Sequence, residues 1–188
     1  MSCAALVAAE VEVKFRVEDP AALRHACEAA GLRFSAPSLQ EDTFYSHAAG
    51  LPRAGEALRV RHEGDAWDLT FKGPRAAAGG GGGEATKART ELTVACSTDP
   101  GPILGGLGFT PSLRVRKQRA TAPFRAATVC LDEVDGLGTF LEVELMARDT
   151  GQAAQAELDE AISGLGRVVA ELRPEPLSYA ELLMRART

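Results

Sequence analysis

The sequence is poor in cysteine and contains no long apolar run. Its four cysteines, Cys3, Cys27, Cys96 and Cys130, lie far apart and form no CxxC pair. We therefore expect neither a disulfide framework nor a zinc site. A membrane-spanning helix needs about 18 or more consecutive apolar residues, and the chain has no such run. The start lacks the basic stretch of a signal peptide, which predicts a cytoplasmic protein with no membrane partner.

The chain also lacks an excess of basic residues. It has 21 lysines and arginines against 26 aspartates and glutamates, for a net charge of −5. Nucleic-acid-binding proteins need a basic surface, so we expect no nucleic-acid partner. A hydrophobic fraction of 45% excludes intrinsic disorder. The length of 188 residues predicts a single domain spanning 1–188.

Two segments differ from the rest of this predicted domain. Residues 76–83 read AAAGGGGG and no GxxxxGK[ST] motif follows them. We therefore expect a flexible glycine loop at 79–83 and not a phosphate-binding loop. Near the end of the chain, Ser178 and Glu181 have the spacing of a capping box, which predicts a C-terminal helix over 178–188.

Most of the chain alternates between apolar and charged residues. In residues 10–18, E-V-E-V-K-F-R-V-E, every even position is charged and every odd position is apolar. Because successive side chains of a β-strand point to opposite faces, this segment is predicted to be a strand with one ionic face. Similar patterns recur in 57–63, 66–72, 87–94 and 138–147. With helical patterns after the first strand and near the end, the sequence predicts an α+β domain with an antiparallel sheet.

The polar faces of several of these strands carry almost nothing but charged residues. Counting the predicted strand at 127–134 as well, the acidic positions include Glu10, Glu12, Glu91, Asp132, Glu142 and Glu144, and the basic ones include Lys14, Arg16, Arg59, Arg61, Lys72 and Arg89. A solvated sheet face explains any single strand, whereas the whole set favours a closed barrel with charges inside. Buried charges need partners or ligands. Carboxylates suit Mg²⁺ or Mn²⁺, and arginine and lysine bind phosphate oxygens, so a polyphosphate–metal complex would satisfy both sets.

One predicted strand leaves its register open. Residues 113–116 read L-R-V-R, yet Lys117 and Arg119 share the parity of the apolar pair. Either a bulge resets the register, or the two arginines of 113–116 face solvent while Lys117 and Arg119 point inward.

Several segments, taken in order, resemble the CYTH family, also called the triphosphate tunnel metalloenzymes. Residues 10–14, E-V-E-V-K, are similar to its ExExK signature. The likeness continues through 42–45, 58–61, 71–74, 89–91, 117–119, 131–132, 136–144 and 178–179. The family contains class IV adenylate cyclases, thiamine triphosphatases and inorganic triphosphatases. The resemblance covers nearly the whole chain.

The resemblance implies a closed eight-stranded antiparallel β-barrel, a tunnel, with flanking helices. It also implies two divalent cations, Mg²⁺ or Mn²⁺, and a role for each matching residue. The first cation would be held by Glu10, Glu12 and Glu144, and the second would face Asp132, Glu142 and Glu91. The triphosphate would be bound by Lys14, Arg59, Arg61, Lys72, Arg89, Lys117 and Arg119. The catalytic residues would be Lys14 together with Glu142 and Asp132, the last two as proton acceptors.

The resemblance leaves the reaction open between hydrolysis and cyclisation. Residues 1–9 lack the His-Phe pair that bacterial class IV cyclases often carry, and 58–61 read LRVR, the form common among triphosphatases. The KGP turn at 72–74 and the ending EPLSY at 175–179 instead resemble the cyclases. We expect metal-dependent hydrolysis of tripolyphosphate, thiamine triphosphate or a nucleoside triphosphate such as ATP. The alternatives are a class IV adenylate cyclase and a non-catalytic module that binds polyphosphate or nucleotide.

Three further residues have more than one interpretation. Asp42 either makes a strand-edge hydrogen bond or acts as a ligand. Tyr179 and the terminal helix either close one end of the tunnel or simply pack against the barrel. Trp67, the one tryptophan, either binds the aromatic cation of thiamine triphosphate at the tunnel mouth or packs in the core. We expect the core, because Trp67 shares strand parity with Leu69 and Phe71. The family resemblance allows both a monomer and a homodimer.

Overall fold

The computed structural model describes residues 6–74, 87–147, 152–167 and 172–187, so the glycine loop expected at 79–83 lies outside the described residues. The strands are β1 (Leu6–Val17), β2 (Ser38–His47), β3 (Ala57–Glu63), β4 (Ala66–Lys72), β5 (Lys87–Cys96), β6 (Phe109–Phe124), β7 (Ala127–Val134), β8 (Gly138–Ala147) and β9 (Arg173–Pro174). The helices are α1 (Pro20–Ala29), α2 (Gly101–Gly106), α3 (Gln152–Gly166) and α4 (Tyr179–Ala186).

Strands β1 to β8 form a closed antiparallel barrel. Hydrogen-bonded neighbours follow the order β5-β4-β3-β2-β6-β7-β8-β1, and β1 pairs again with β5. Glu10 of β1, for example, lies opposite both Arg89 of β5 and Met146 of β8. The short β9 pairs with β1 beyond the end of the β1–β5 pairing. This architecture confirms the predicted eight-stranded barrel with flanking helices.

The apolar faces of the strands point outward, where helices α1 and α3 cover them. Val11 and Val13 of β1 and Leu141 of β8 form one core cluster with Leu23 of α1 and Leu158 of α3. Full burial of such a side chain stabilises the fold by roughly 1.5–3 kcal/mol. Because side chains alternate between faces, packing the apolar face against helices places the charged residues of the same strands inside the barrel.

Helix α2 covers a different part of the outer surface. Its Leu104 packs with Tyr45 and Val60, and the partly buried Trp67 joins this cluster. Trp67 also stacks on His62, with the ring centroids 4.1 Å apart. Trp67 is therefore a packing residue outside the charged interior, as predicted. None of the described helices is long and apolar enough to cross a membrane.

Helix α4 packs against one end of the barrel interior. The hydroxyl oxygen of Ser178 accepts a hydrogen bond from the N–H of Glu181, whose carboxylate accepts one from the N–H of Ser178. This capping box starts the helix at the predicted place. Tyr179 then packs with Leu113 and Phe140, which share strand parity with the inward-facing charges. Ordinary packing contacts of α4 thus cover an apolar end of the interior, so the two interpretations of this helix describe one arrangement.

Strand β6 keeps its alternation through the stretch that left its register open. Arg114 and Arg116 are exposed, whereas Val115, Lys117 and Arg119 are buried. The second alternative is therefore confirmed. The inward face of β6 changes from apolar to basic along its length because its apolar beginning packs against α4.

Candidate active site

The barrel encloses a cavity of about 490 Å³ whose wall carries charges of both signs. The barrel strands supply its acidic side chains Glu10, Glu12, Asp42, Glu91, Glu142 and Glu144 and its basic ones Lys14, Arg59, Arg61, Lys72, Arg89, Lys117 and Arg119, while Glu56 and Glu181 line it from outside these strands. Asp132 is fully buried and hydrogen-bonded to two of these basic residues. The structure therefore brings every predicted site residue into this cavity or directly beside it.

Three of the predicted metal ligands converge at one point of the tunnel. One carboxylate oxygen from each of Glu10, Glu12 and Glu144 lies within 4.8 Å of the other two. Burial raises the pKa of Glu144 to about 7. Neighbouring carboxylates add to this rise, and Arg119 opposes it. Buried carboxylates that repel one another are oxygen donors that a divalent cation would satisfy, so this group fits Mg²⁺ or Mn²⁺.

Like Glu10 and Glu144, which pair with Lys72 and Arg119, the other predicted metal ligands are bonded to basic side chains. Lys14 Nζ lies 2.9 Å from Glu142 Oε1. Glu91 forms an ion pair with Lys72 and lies 3.8 Å from Arg89 Nε. Asp132 is likewise held by cations. The structure thus groups the ligands expected for the first cation, and among the described residues it shows no comparable group for the second.

Arg119 connects three carboxylates from the two neighbouring strands β7 and β8. Its Nε donates to Asp132 Oδ1 at 2.7 Å, and its Nη1 donates to Glu144 Oε1 at 2.7 Å. Its Nη2 donates to Glu142 and to Asp132 Oδ2. Burial alone would lower the pKa of Arg119, but these carboxylates raise it well above its ordinary value. Arg119 is therefore a permanent cation that fixes the acidic side chains around it.

Two buried lysines reach the same acidic residues with different electrostatics. Lys117 Nζ donates to Asp132 Oδ2 at 2.9 Å, and Lys14 pairs with Glu142. Burial alone would lower the pKa of Lys14, but Glu142 and other carboxylates raise it above its ordinary value. Burial and a neighbouring arginine lower the pKa of Lys117. Lys14 is therefore the more firmly protonated of the two.

Two tunnel arginines keep a donor without a partner. Arg59 Nε and Arg89 Nε are buried and have no hydrogen-bond partner among the described residues. Leaving a buried donor unsatisfied costs about 1–3 kcal/mol. Guanidinium groups bind phosphate oxygens through charge-assisted hydrogen bonds. An anion with several oxygens, bound in the cavity, would give these two Nε donors hydrogen-bond acceptors.

Asp42 is a tunnel residue whose role the sequence left open. Arg61 donates to both of its oxygens, at 2.6 and 2.7 Å, and Arg59 Nη1 lies 3.5 Å from its Oδ2. Burial alone would raise the pKa of Asp42, but Arg59 and Arg61 hold it well below its ordinary range. Asp42 therefore orients two arginines. The signal that could have found it is its even position in 40–46, which places it on the same face as the buried Gln40.

We expect Asp42→Asn to lower the free energy of unfolding by about 3 kcal/mol at pH 7, because Arg61 loses its charged partner inside the barrel. The folded-state pKa of Asp42 is depressed, so its stabilisation is complete above the ordinary aspartate pKa of about 3.9 and declines as the pH falls below it. Urea unfolding at pH 7 and pH 3 should show the gap between wild type and variant shrinking by about 1 kcal/mol. Asp135→Asn, at an exposed ion pair, is the matched control and should show little change. An equal gap for Asp42→Asn at both pH values would contradict this account.

Sequence comparison and fold agree on one protein family. Residues 8–168 match the family model of the CYTH domain. The chain belongs to the CYTH domain family. This confirms the resemblance found in residues 10–14 and the segments that follow. CYTH proteins act on nucleotide or triphosphate substrates.

Individual CYTH relatives resemble the chain over most of its length. A Methanocaldococcus jannaschii protein named "Putative adenylate cyclase" is 29% identical over 149 residues, which cover 76% of this chain and 80% of that protein. The solved structure of a Pyrococcus horikoshii protein is 28% identical, with a TM-score of 0.79, and covers 95% of this chain and 99% of its own. A Hippeastrum protein, described as a "putative adenylyl cyclase" with a dominant triphosphatase activity, shares the fold with a TM-score of 0.68 at 19% identity, covering 94% of this chain and 96% of its own.

Proposed function

We propose that this CYTH protein hydrolyses a triphosphate substrate inside the tunnel with the help of divalent cations. One observation carries the proposal: arginines with unsatisfied donors and a converging group of carboxylates face the same cavity. The arginines suit phosphate oxygens, and the carboxylates suit Mg²⁺ or Mn²⁺. The cavity volume of about 490 Å³ lies within the range of small-molecule sites.

The basic residues of the tunnel would bind and orient the triphosphate. They come from five different strands and are Lys14, Arg59, Arg61, Lys72, Arg89, Lys117 and Arg119. Fixed positive charges in a buried site stabilise the negative charge that develops as a phosphoryl group is transferred. Asp42 and Asp132 already hold several of these side chains in place, so little reorganisation would accompany the reaction.

The first cation would be held by Glu10, Glu12 and Glu144. A divalent cation bound there supplies Lewis acidity, which neutralises phosphate charge and lowers the pKa of a coordinated water. We propose Asp132, Glu142 and Glu91 for the second cation. That role requires each of these carboxylates to exchange a present lysine or arginine partner for the cation.

Glu142 and Asp132 are the proposed acceptors of the proton that the attacking water loses, and Asp132 would have to release one of its present donors to take that role. Burial alone would raise the pKa of Glu142, but Lys14 and Arg119 hold it well below its ordinary value. Glu142 is therefore ionised, and it would become basic enough to take up the proton when the bound phosphate draws Lys14 away from it. Lys14, at 2.9 Å from Glu142, would orient this carboxylate and contact the phosphate, which is its proposed catalytic role.

Adenylate cyclisation is the second candidate function. It is favoured by the name of the Methanocaldococcus jannaschii relative, which is 29% identical to this chain. The same tunnel would serve either reaction, because the fold and the charged site do not determine whether water or a ribose hydroxyl attacks. The Hippeastrum neighbour, named for cyclisation and described with a dominant triphosphatase activity, supports hydrolysis as the first candidate.

The test is phosphorus NMR of the purified protein with Mg²⁺ or Mn²⁺ and, separately, tripolyphosphate, ATP and thiamine triphosphate. Hydrolysis predicts orthophosphate from at least one of them and identifies the preferred substrate. Pyrophosphate with cyclic AMP from ATP would replace hydrolysis by the cyclase alternative. Binding without any product would leave the third alternative, a module that captures polyphosphate or nucleotide.

Lys72→Ala is expected to weaken triphosphate binding by about ten- to a hundredfold, the usual effect of losing a charged hydrogen bond. Lys72 is buried in the cavity wall, where its Nζ lies 3.1 Å from Glu10 Oε2. Calorimetric titration with a non-hydrolysable imido analogue of tripolyphosphate and Mg²⁺ measures this. Arg116→Ala removes an exposed positive charge and should leave the titration unchanged. An unchanged titration of Lys72→Ala would remove Lys72 from the binding residues.

Several expectations stay predictions. They are the cytoplasmic location, the monomeric or homodimeric state, the number and identity of the cations, and the absence of nucleic-acid and membrane partners.

A further inference from the structure

Tyr179 of α4 reaches into the charged network at one end of the tunnel. Its side chain is buried, and its hydroxyl donates to Asp132 Oδ2 at 2.9 Å. The Lys14 ammonium lies 4.0 Å from the centre of its ring, and the Lys117 ammonium lies 5.1 Å from it. One phenol therefore touches two lysines proposed to bind substrate and the carboxylate that holds Arg119.

Asp132 accepts four hydrogen bonds, one at Oδ1 and three at Oδ2. Arg119 donates to both of its oxygens, while Lys117 and Tyr179 donate to Oδ2. A carboxylate offers about four acceptor sites. Asp132 thus acts as a fixed point that sets the positions of its donors, and Tyr179 is the donor that comes from outside the barrel strands.

The segment before α4 is attached to β1, which determines where Tyr179 lies. The Glu175 N–H donates to the Lys14 carbonyl oxygen at 2.8 Å. The Glu175 carboxylate accepts from Arg16 at 3.0 Å and from the Leu177 N–H at 3.1 Å. Lys14 Nζ in turn donates to the Leu177 carbonyl oxygen at 3.4 Å. Backbone and side-chain contacts thereby couple the position of Lys14 to that of α4.

The face of the Tyr179 ring can position a lysine and leave its positive charge available for phosphate. An aromatic face attracts an ammonium group through its quadrupole but carries no net charge. It therefore holds the lysine in position without neutralising it. A second carboxylate in the same place would compete with the substrate for the lysine.

We propose that Tyr179 is a positioning residue of the active site, whose hydroxyl orients Asp132 with Arg119 and whose ring holds Lys14 and Lys117 toward the phosphate. The kinetic part of this inference rests on the proposed function. The binding part requires only that the tunnel takes up a triphosphate.

Two substitutions separate the hydroxyl from the ring. Tyr179→Phe keeps the ring, so the affinity for the imido analogue of tripolyphosphate with Mg²⁺ should stay at the wild-type value. Its kcat for the substrate found by NMR should fall by about tenfold, because the hydrogen bond to a charged group is lost. Tyr179→Leu also removes the ring, so the dissociation constant of the analogue should rise by about five- to thirtyfold.

Leu183→Ala is the matched control, because Leu183 packs in the same apolar cluster on α4. It should lower the thermal unfolding temperature while kcat and analogue affinity stay near wild type. If Leu183→Ala reproduces the losses of Tyr179→Leu, or if Tyr179→Leu binds the analogue as tightly as wild type, Tyr179 only packs and the proposal is wrong. A wild-type protein that turns over no triphosphate would overturn the proposed function alone, since the analogue titrations would still decide the role of the ring.

Discussion

Glu144→Gln is expected to reduce cation-dependent turnover by about two orders of magnitude or more, beyond the roughly 10–100-fold that loss of an outer partner of a metal ligand costs. Glutamine keeps the shape of the side chain but removes its negative charge. The cation would then lose one of the three converging carboxylates, and Glu10 and Glu12 would remain. The measurement is kcat as a function of Mg²⁺ concentration, with circular dichroism to show that the fold is kept.

Glu133→Gln is the matched control for this experiment, because Glu133 is an exposed glutamate of β7. It should leave both the rate and the Mg²⁺ dependence unchanged. Glu10→Gln should reproduce the loss seen with Glu144→Gln, since both carboxylates belong to the same group. Wild-type rates and wild-type Mg²⁺ dependence in Glu144→Gln would remove Glu144 from the metal ligands.

Arg119→Leu is expected to lower the free energy of unfolding by about 3–5 kcal/mol, the usual cost of breaking a buried ion pair by removing one partner. The loss should be this large because Arg119 is the common partner of Asp132, Glu142 and Glu144. Without it, the buried carboxylates of Asp132 and Glu142 and the half-buried one of Glu144 would face one another with fewer cations between them. Urea unfolding at neutral pH measures the change.

Arg116→Leu on the same strand is the control for the charge itself. Arg116 is half exposed, and its partners Glu41 and Asp135 are exposed as well. Exposed ion pairs contribute about 0–1 kcal/mol, so this variant should unfold at nearly the wild-type urea concentration. Equal losses in Arg116→Leu and Arg119→Leu would show that the buried network does not stabilise the barrel.

Much of the site could be read from the sequence because its residues lie on strands with strict alternation. In residues 10–18 the charged face is unmistakable, and Glu10, Glu12 and Lys14 do line the cavity. A strand such as β2, whose polar positions are mostly uncharged, gives less indication of which side chains point into the tunnel. The even position of Asp42 in β2 is consistent with an inward side chain, but its place between two tunnel arginines follows only from the pairing of β2 with β3.

The sequence alone does not show which residue forms the ion pair or hydrogen bond with each charged side chain. Glu91 carries the parity of a tunnel residue, yet nothing in 87–94 shows that it lies opposite Lys72 across the β4–β5 pair. Tyr179 lies far along the chain from Asp132, and their hydrogen bond exists only because the terminal segment returns along β1. Such contacts depend on sheet register and on the path of connecting segments, which local patterns do not encode.

The sequence by itself determined that the strands have one apolar face and one ionic face, because period-two alternation follows directly from strand geometry. It did not determine which face meets water, since the same alternation suits an open, solvated sheet and a closed barrel. The tertiary structure decided this through the pairing of β1 with β5 and the packing of α1 and α3 on the outer apolar face. Closure of the sheet into a barrel places the charged faces of the strands in the interior, where each charge needs an oppositely charged partner or a ligand. That requirement is the physical basis of the proposed site.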